Sequence, residues 1–266
     1  MSQQKVCAFC SKNGSLTKEH LWPAALHKRL QNARGDTENL FYLLKLESEI
    51  LAEPTIKDVC SNCNNVLLSE LDSYICFLFD KYFAKIYERD EEIIFEYDYH
   101  KLVRWLLKLC YNSARVNNGR DLFIFDFLKE YILGHSLKNH SCLKVFVGLT
   151  YPDVIPEDEL PTNYTGVNPV IYRPELNRVG HALFQAPDGR YKLMRAVHLR
   201  SFSFTIAYFA PETPETLIKE FMQLYLDSRQ KLYLLPQTPA KFTLICGSDS
   251  AWESIKQSRS KFVFIS

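Results

Sequence analysis

The sequence predicts an α+β fold, with paired cysteines ordering the amino-terminal part and a largely antiparallel sheet in the second half. Three observations carry this. Two matched pairs, Cys7-Ala-Phe-Cys10 and Cys60-Ser-Asn-Cys63, enclose the first sixty residues; apolar side chains recur at helical spacing through residues 66–133; and short strand-like runs separated by Pro and Gly turns follow from residue 143. Helices first and strands afterwards suit α+β better than an alternating parallel-sheet fold.

Composition sets the outer bounds. At 266 residues the chain has room for one large domain or two modest ones. Its 32 basic and 31 acidic residues leave a formal charge of +1, so any nucleic-acid surface must be local. With 18 Phe and 15 Tyr, the chain reads as folded. It opens Met1-Ser-Gln-Gln-Lys without a basic leader and apolar run, and no apolar stretch approaches the roughly 20 residues that cross a bilayer. The expectation is a cytoplasmic protein with no membrane partner.

The cysteine pairs come first. Cys7, Cys10, Cys60 and Cys63 can give four thiolates to one tetrahedral ion, for which structural Zn is the natural occupant. The other four cysteines, Cys76, Cys110, Cys142 and Cys246, sit among apolar neighbours and read as reduced core residues. Asn13-Gly14 is a turn, and Leu16-Thr-Lys-Glu19-His20-Leu-Trp22-Pro23 follows. Adjacent side chains diverge on a strand, so Glu19 and His20 suit separate tasks: Glu19 to hold a hard divalent cation, His20 to take a proton from water. The bland reading is a surface carboxylate beside a hydrogen-bonded histidine.

Pro23 introduces a short helix over residues 24–30 and residues 31–37 form a polar loop; Lys28 on the helix or Arg34 in the loop is a candidate phosphate contact. Asn39 precedes an apolar stretch and suits either a cap or a bridge to the His20 loop. Asn64 and Asn65, after the last paired cysteine, stand where a helix begins; either could cap it or reach a cation. Leu67, Leu71, Ile75, Leu78 and Tyr82 then mark helix through residues 66–89, and the acidic run Glu88 to Asp98 reads as a solvated boundary.

In this order, the cysteine pair, the acidic residue followed by His and a nearby Pro, the Asn-Leu pair and Cys-x-x-Cys-Asn resemble the HNH, or His-Me finger, endonucleases of the zinc-stapled type, over roughly residues 5–75. The resemblance implies a ββα-metal module that hydrolyses phosphodiester bonds. His20 would be the general base, Glu19 and Asn64 would hold catalytic Mg or Mn, Asn39 would orient the histidine loop, and the four cysteines would hold Zn. Glu19 departs from the commoner Asp, and Asn65 remains an alternative to Asn64. DNA is the first substrate expected and RNA the second, in a bacterial or phage defence or restriction setting. A double-strand break needs two such centres, which suits a homodimer; a defence-system partner protein is the other partner expected.

Farther along, Tyr99 to Arg115 reads as the longest helix, with Lys101, Arg104, Lys108 and Arg115 on a solvated side, and a second helix over Phe123 to Leu133 stops at Gly134. Leu143 to Leu149 changes the texture to strand. Strands are expected at residues 169–172, 181–185, 191–199, 201–209, 232–235, 242–246 and 262–265, with a helix over 216–226. Arg190, Lys192, Arg195, His198 and Arg200 make the densest basic run and are weak candidates for nucleic-acid contact, Arg195 having the opposite strand parity to the rest. The expected division is 1–90 for the nuclease module and 91–266 for a helical connector and an α+β domain recognising substrate, signal or partner. The rival from another class is a zinc-ribbon module that binds nucleic acid or protein and cuts nothing. A third reading is a toxin-like nuclease held by an immunity partner.

Overall fold

The computed structural model describes residues 6–35, 41–43, 48–50, 53–137, 141–160, 165–166, 169–175, 177–185, 190–238 and 241–260. The chain forms two compact units, and neither is continuous in sequence. Unit one holds Met1–Ala84 and Tyr97–His140, and unit two holds Lys85–Glu96 and Ser141–Ser266. The boundary expected near residue 90 is therefore displaced: the chain lends one strand to unit two and returns, so the long helix belongs with the cysteines.

Unit one is built on a two-stranded antiparallel ribbon of β1 (Leu16–His20) and β4 (Thr55–Cys60). Between them lie α1 (Ala24–Arg34) and the hairpin of β2 (Phe41–Leu43) and β3 (Ser48–Ile50). Helix α1 runs through Gln31–Arg34, which had read as loop; it ends at Gly35, whose φ of 73° accepts the left-handed turn. After the second cysteine pair the chain runs helically through the wide turns Cys63–Leu68, α2 (Ser69–Leu78) and the wide turns Phe79–Phe83. Then come α3 (Tyr99–Asn117), α4 (Leu122–Phe125) and α5 (Lys129–Leu133). The single helix expected over Phe123 to Leu133 is broken by tight turns, Phe127 N to Ile124 O and Leu128 N to Phe125 O, and Gly134 closes it at a φ of 81°.

Helix α3 is the axis of unit one. Asp98 caps it by accepting from Lys101 N at 3.0 Å, and Leu102, Val103, Trp105, Leu106, Leu109 and Cys110 are buried along it. Of the basic side expected to face solvent, Lys101 stays partly exposed, but Arg104 and Lys108 are buried, as is Asn112, each four residues from the next. Spacing of four puts them on one stripe.

Unit two is a six-stranded sheet. It runs β12 (Tyr233–Leu234), β6 (Leu143–Tyr151), β11 (Phe202–Phe209), β10 (Tyr191–Leu199) and β9 (Asn177–Gln185), antiparallel throughout, with β14 (Asp249–Ser250) parallel to β6. Helix α6 (Glu215–Asp227) buries Ile218 against Phe146, Ala207 and Phe209, with Phe221, Met222 and Tyr225 at the margin. The acidic run taken for a solvated boundary contains β5 (Glu92–Glu96), paired with β13 (Lys241–Ile245); Phe95 on it is fully buried. A short pair, β7 (Asp153–Val154) with β8 (Ile171–Tyr172), and α7 (Ala251–Ser260) complete the unit. Helix α7 had no counterpart in the sequence reading, and the strand expected at residues 262–265 lies outside the described residues. Among the described residues, no helix is long and apolar enough to cross a membrane.

Candidate functional site

The cysteine pairs converge. The four sulfur atoms of Cys7, Cys10, Cys60 and Cys63 lie within 4.8 Å of one another, and Cys10 Sγ is 3.7 Å from Cys60 Sγ. A tetrahedron with Zn–S bonds near 2.3 Å has edges of about 3.8 Å, so the set fits zinc with no position left open. Backbone amides aim at the sulfurs: Cys60 N donates to Cys7 Sγ at 3.3 Å. Burial pushes the Cys7 thiol up, but the amides of Cys10, Cys60 and Phe9 outweigh it and bring it to about 7; burial also drives Cys63 far up, which a bound cation would reverse. The ion's role there is structural: it ties the ends of a ribbon too short to stand alone.

A bulge shapes that ribbon. Thr17 pairs with Val59 but Lys18 pairs with Lys57, so Asp58 is the extra residue. Its carbonyl accepts from Ala8 N at 2.8 Å, and its carboxylate takes Arg115 from α3. Arg115 also lies over the rings of Phe9 and Tyr111, at 5.0 and 4.8 Å. The first cysteine knuckle is thereby fastened to both β4 and α3.

Past the bulge, strand alternation separates the residues of β1. Lys18 and His20 face one way and Glu19 the other. His20 has a side chain 41% exposed, with Nδ1 3.0 Å from Glu53 Oε2 and shielded from solvent; the two atoms are at ion-pair distance without hydrogen-bond alignment. Lys18 and Lys57 are cross-strand partners and both exposed, giving the ribbon a cationic outer side beside His20.

Glu19 points into the unit and is 4% exposed. Its Oε1 accepts from Asn112 Nδ2 at 3.0 Å and meets Lys108 Nζ at 2.9 Å. Lys108 also reaches both oxygens of Asp72, at 2.7 and 2.6 Å, and Trp105 Nε1 donates to Asp72 at 3.2 Å. Burial holds the Asp72 carboxyl above its ordinary range against the pull of Lys108. Asn112 Nδ2 donates also to His20 O at 3.0 Å, fixing the backbone of the histidine.

The expected pairing of Glu19 with Asn64 around a magnesium-type ion is not formed. Asn64 Nδ2 donates to Thr17 Oγ1 at 2.9 Å and to Lys18 O at 2.8 Å, stitching the helix start to β1, while Glu19 is turned to α3. Among the described residues, the two side chains have no hydrogen-bond partner in common. Asn65, the alternative, is exposed and donates to Ser61 Oγ at 3.0 Å. Asn39 lies outside the described residues. Lys28 is exposed on α1, and Arg34 is half-buried in its last turn.

The basic run of unit two also fails to form an open face. Arg195 is 2% exposed, on the buried side of β10 with Leu193, Val197 and Leu199. Lys192 lies over the rings of Phe221 and Phe184, at 4.0 and 4.9 Å, and burial lowers its pKa. Burial, with Arg178 and Arg229 nearby, holds His198 well below the ordinary imidazole range. Arg190 is half-buried, and Arg200 is buried in the turn between β10 and β11.

Sequence reasoning missed Glu53, Lys57, Lys108 and Asn112. A signal existed for the last two, since polar residues four apart on an otherwise apolar helix mark one buried polar stripe. Glu53 had none, because its approach to His20 depends on the register of β1 and β4. No protein-family model, curated protein or solved structure matches this chain.

Proposed function

We propose that unit one hydrolyses phosphodiester bonds of nucleic acid, DNA first and RNA second, with His20 as general base. The observation that supports this reading most is the exposed His20 ring backed by Glu53 on a cysteine-stapled ribbon. Water held at Nε2 gives up its proton to the ring as its oxygen attacks phosphorus, and the opposite phosphate oxygen leaves with the bonding electrons. Lys18 and Lys57 supply positive charge for the phosphate; each is a long, exposed cation on the same ribbon. The residues expected to carry magnesium do not fit that ion, and no step is assigned to it.

The test uses purified zinc-loaded protein and His20→Ala with supercoiled plasmid, single-stranded DNA and structured RNA, with Mg²⁺, with Mn²⁺ or with EDTA. Cleavage should fall about 10²- to 10⁴-fold in His20→Ala while bound zinc is unchanged. Equal cleavage by both proteins, or none by either, sinks the base assignment.

One observation favours a second reading. Glu19, which the resemblance to His-Me finger nucleases would make a metal ligand, is engaged by a lysine inside the fold. A zinc-ribbon module that binds nucleic acid without cutting it would need nothing from Glu19 but packing. Salt-dependent binding with no cleavage of any substrate, lost when Lys18 and Lys57 are replaced, would favour that module.

A further inference from the structure

Lys108 has the environment of a bound ion. Its side chain is 3% exposed, and its ammonium meets Glu19 Oε1 at 2.9 Å and the two Asp72 oxygens at 2.7 and 2.6 Å. An ammonium has three N–H donors; two go to the Asp72 oxygens, and Glu19 Oε1 lies at ion-pair distance, so three carboxylate oxygens from two elements surround the charge. Asn112 and Trp105 hold the same carboxylates from the other side, so both acids are fixed before any solute arrives.

We propose that Lys108 is the chain's own cation at Glu19: the amine stands where a divalent ion would otherwise bridge Glu19 and Asp72, and the native protein holds no divalent ion there. The charge argument is direct. A buried carboxylate, Glu19, and a half-buried one, Asp72, repel each other unless a cation lies between them, and the ammonium supplies that cation without leaving the covalent chain. A divalent ion at Glu19 would have to displace Lys108, leaving the ammonium buried without its partners. Removal of the amine reverses the preference. The two acids then face a space the size of a lysine side-chain end, which water and a hard oxygen-seeking cation can fill.

The inference does not depend on the hydrolase reading, and its test measures binding. Zinc-loaded wild type, Glu19→Gln, Lys108→Ala and Lys108→Ala with Glu19→Gln are titrated with Mn²⁺, the unbound ion being read by electron paramagnetic resonance. Wild type should take up no Mn²⁺ in a manner that Glu19→Gln changes. Lys108→Ala should gain one ion per chain, at least tenfold tighter than any uptake by wild type, and the double substitution should lose it. A wild-type site abolished by Glu19→Gln overturns the proposal, as does a Lys108→Ala protein with full zinc content and native circular dichroism that gains none. Should Lys108→Ala fail to fold, the wild-type and Glu19→Gln titrations decide: Glu19-dependent uptake refutes the proposal, and its absence upholds it. Loss of all cleavage activity would leave each of these outcomes unchanged.

Discussion

Beneath the ribbon of β1 and β4 the chain buries a carboxylate, an ammonium and an amide, Glu19, Lys108 and Asn112; on β6, β10 and β11 it buries Val145, Val147, Val197, Phe202 and Phe204. The difference follows from size. A two-stranded ribbon offers too little apolar surface to pin itself, so its register and position come from directional bonds and from thiolates that a metal can gather. A six-stranded sheet carrying a helix has enough surface to be held by packing. The ribbon therefore draws its order from specific partners, and the large sheet from buried area.

The sharpest way to break this contrast is to strip the zinc. Structural zinc contributes apparent free energies of about 10–16 kcal/mol in small zinc-dependent folds at neutral pH. A strong chelator should expose the amides of β1, β4 and Cys63–Leu68 to hydrogen exchange while those of β6, β10 and β11 stay protected. Equal loss of protection in both units would refute a ribbon-specific role for the metal.

Next in size come two substitutions of opposite kind. Lys108→Met leaves Glu19 and Asp72 facing each other without a cation and should cost about 3–5 kcal/mol, as removal of one partner from a buried ion pair does. Phe146→Ala removes a fully buried ring from the contact of β6 with α6 and should cost a similar 3–5 kcal/mol by leaving a cavity. The distinction lies in repair. Replacing Glu19, Lys108 and Asp72 together by apolar residues of like volume should recover most of the first loss in urea melts, whereas adding polar groups around the Phe146 cavity should recover none of the second.

The same contrast accounts for what was legible in the sequence. The zinc set could be read because chemistry demanded four sulfurs at matched spacing, and the antiparallel sheet because alternation and turns are local signals. Glu19 and His20 were rightly given divergent directions, since strand alternation is local too. Where Glu19 ended up was not legible: its partners, Lys108 and Asn112, arrive from a helix about ninety residues on. The basic run on β10 misled because charge at strand parity reads as surface, while Lys192 lies on aromatic rings and burial holds His198 below the ordinary imidazole range; Arg195, given the opposite parity, does face the packed side. The displaced boundary has the same origin, for the acidic β5 reads as solvated until β13 pairs with it.

A smaller effect separates the units by pH. Burial, with Arg178 and Arg229 nearby, sets the folded-state pKa of His198 well below its ordinary 6.5, so the folded chain binds fewer protons there than the unfolded one. That stability is present above 6.5 and is lost as pH falls below it, by at most about 1.4 kcal/mol per unit. His198→Gln should flatten this acid slope in the exchange protection of β10 and β11. An unchanged slope would assign the acid sensitivity of unit two to other groups.

The smallest stability effect tests function most cleanly. Lys18 and Lys57 are exposed cross-strand partners, and replacing both by Gln should change stability by less than about 0.5 kcal/mol. If the outer side of the ribbon is where phosphate sits, the same change should weaken nucleic-acid binding at every sequence and lower the slope of log affinity against log salt by about 1–2. Zinc content should remain full, because neither lysine touches the cysteines. A double variant with wild-type affinity and salt slope would move the phosphate contacts off the ribbon and leave His20 without a substrate beside it.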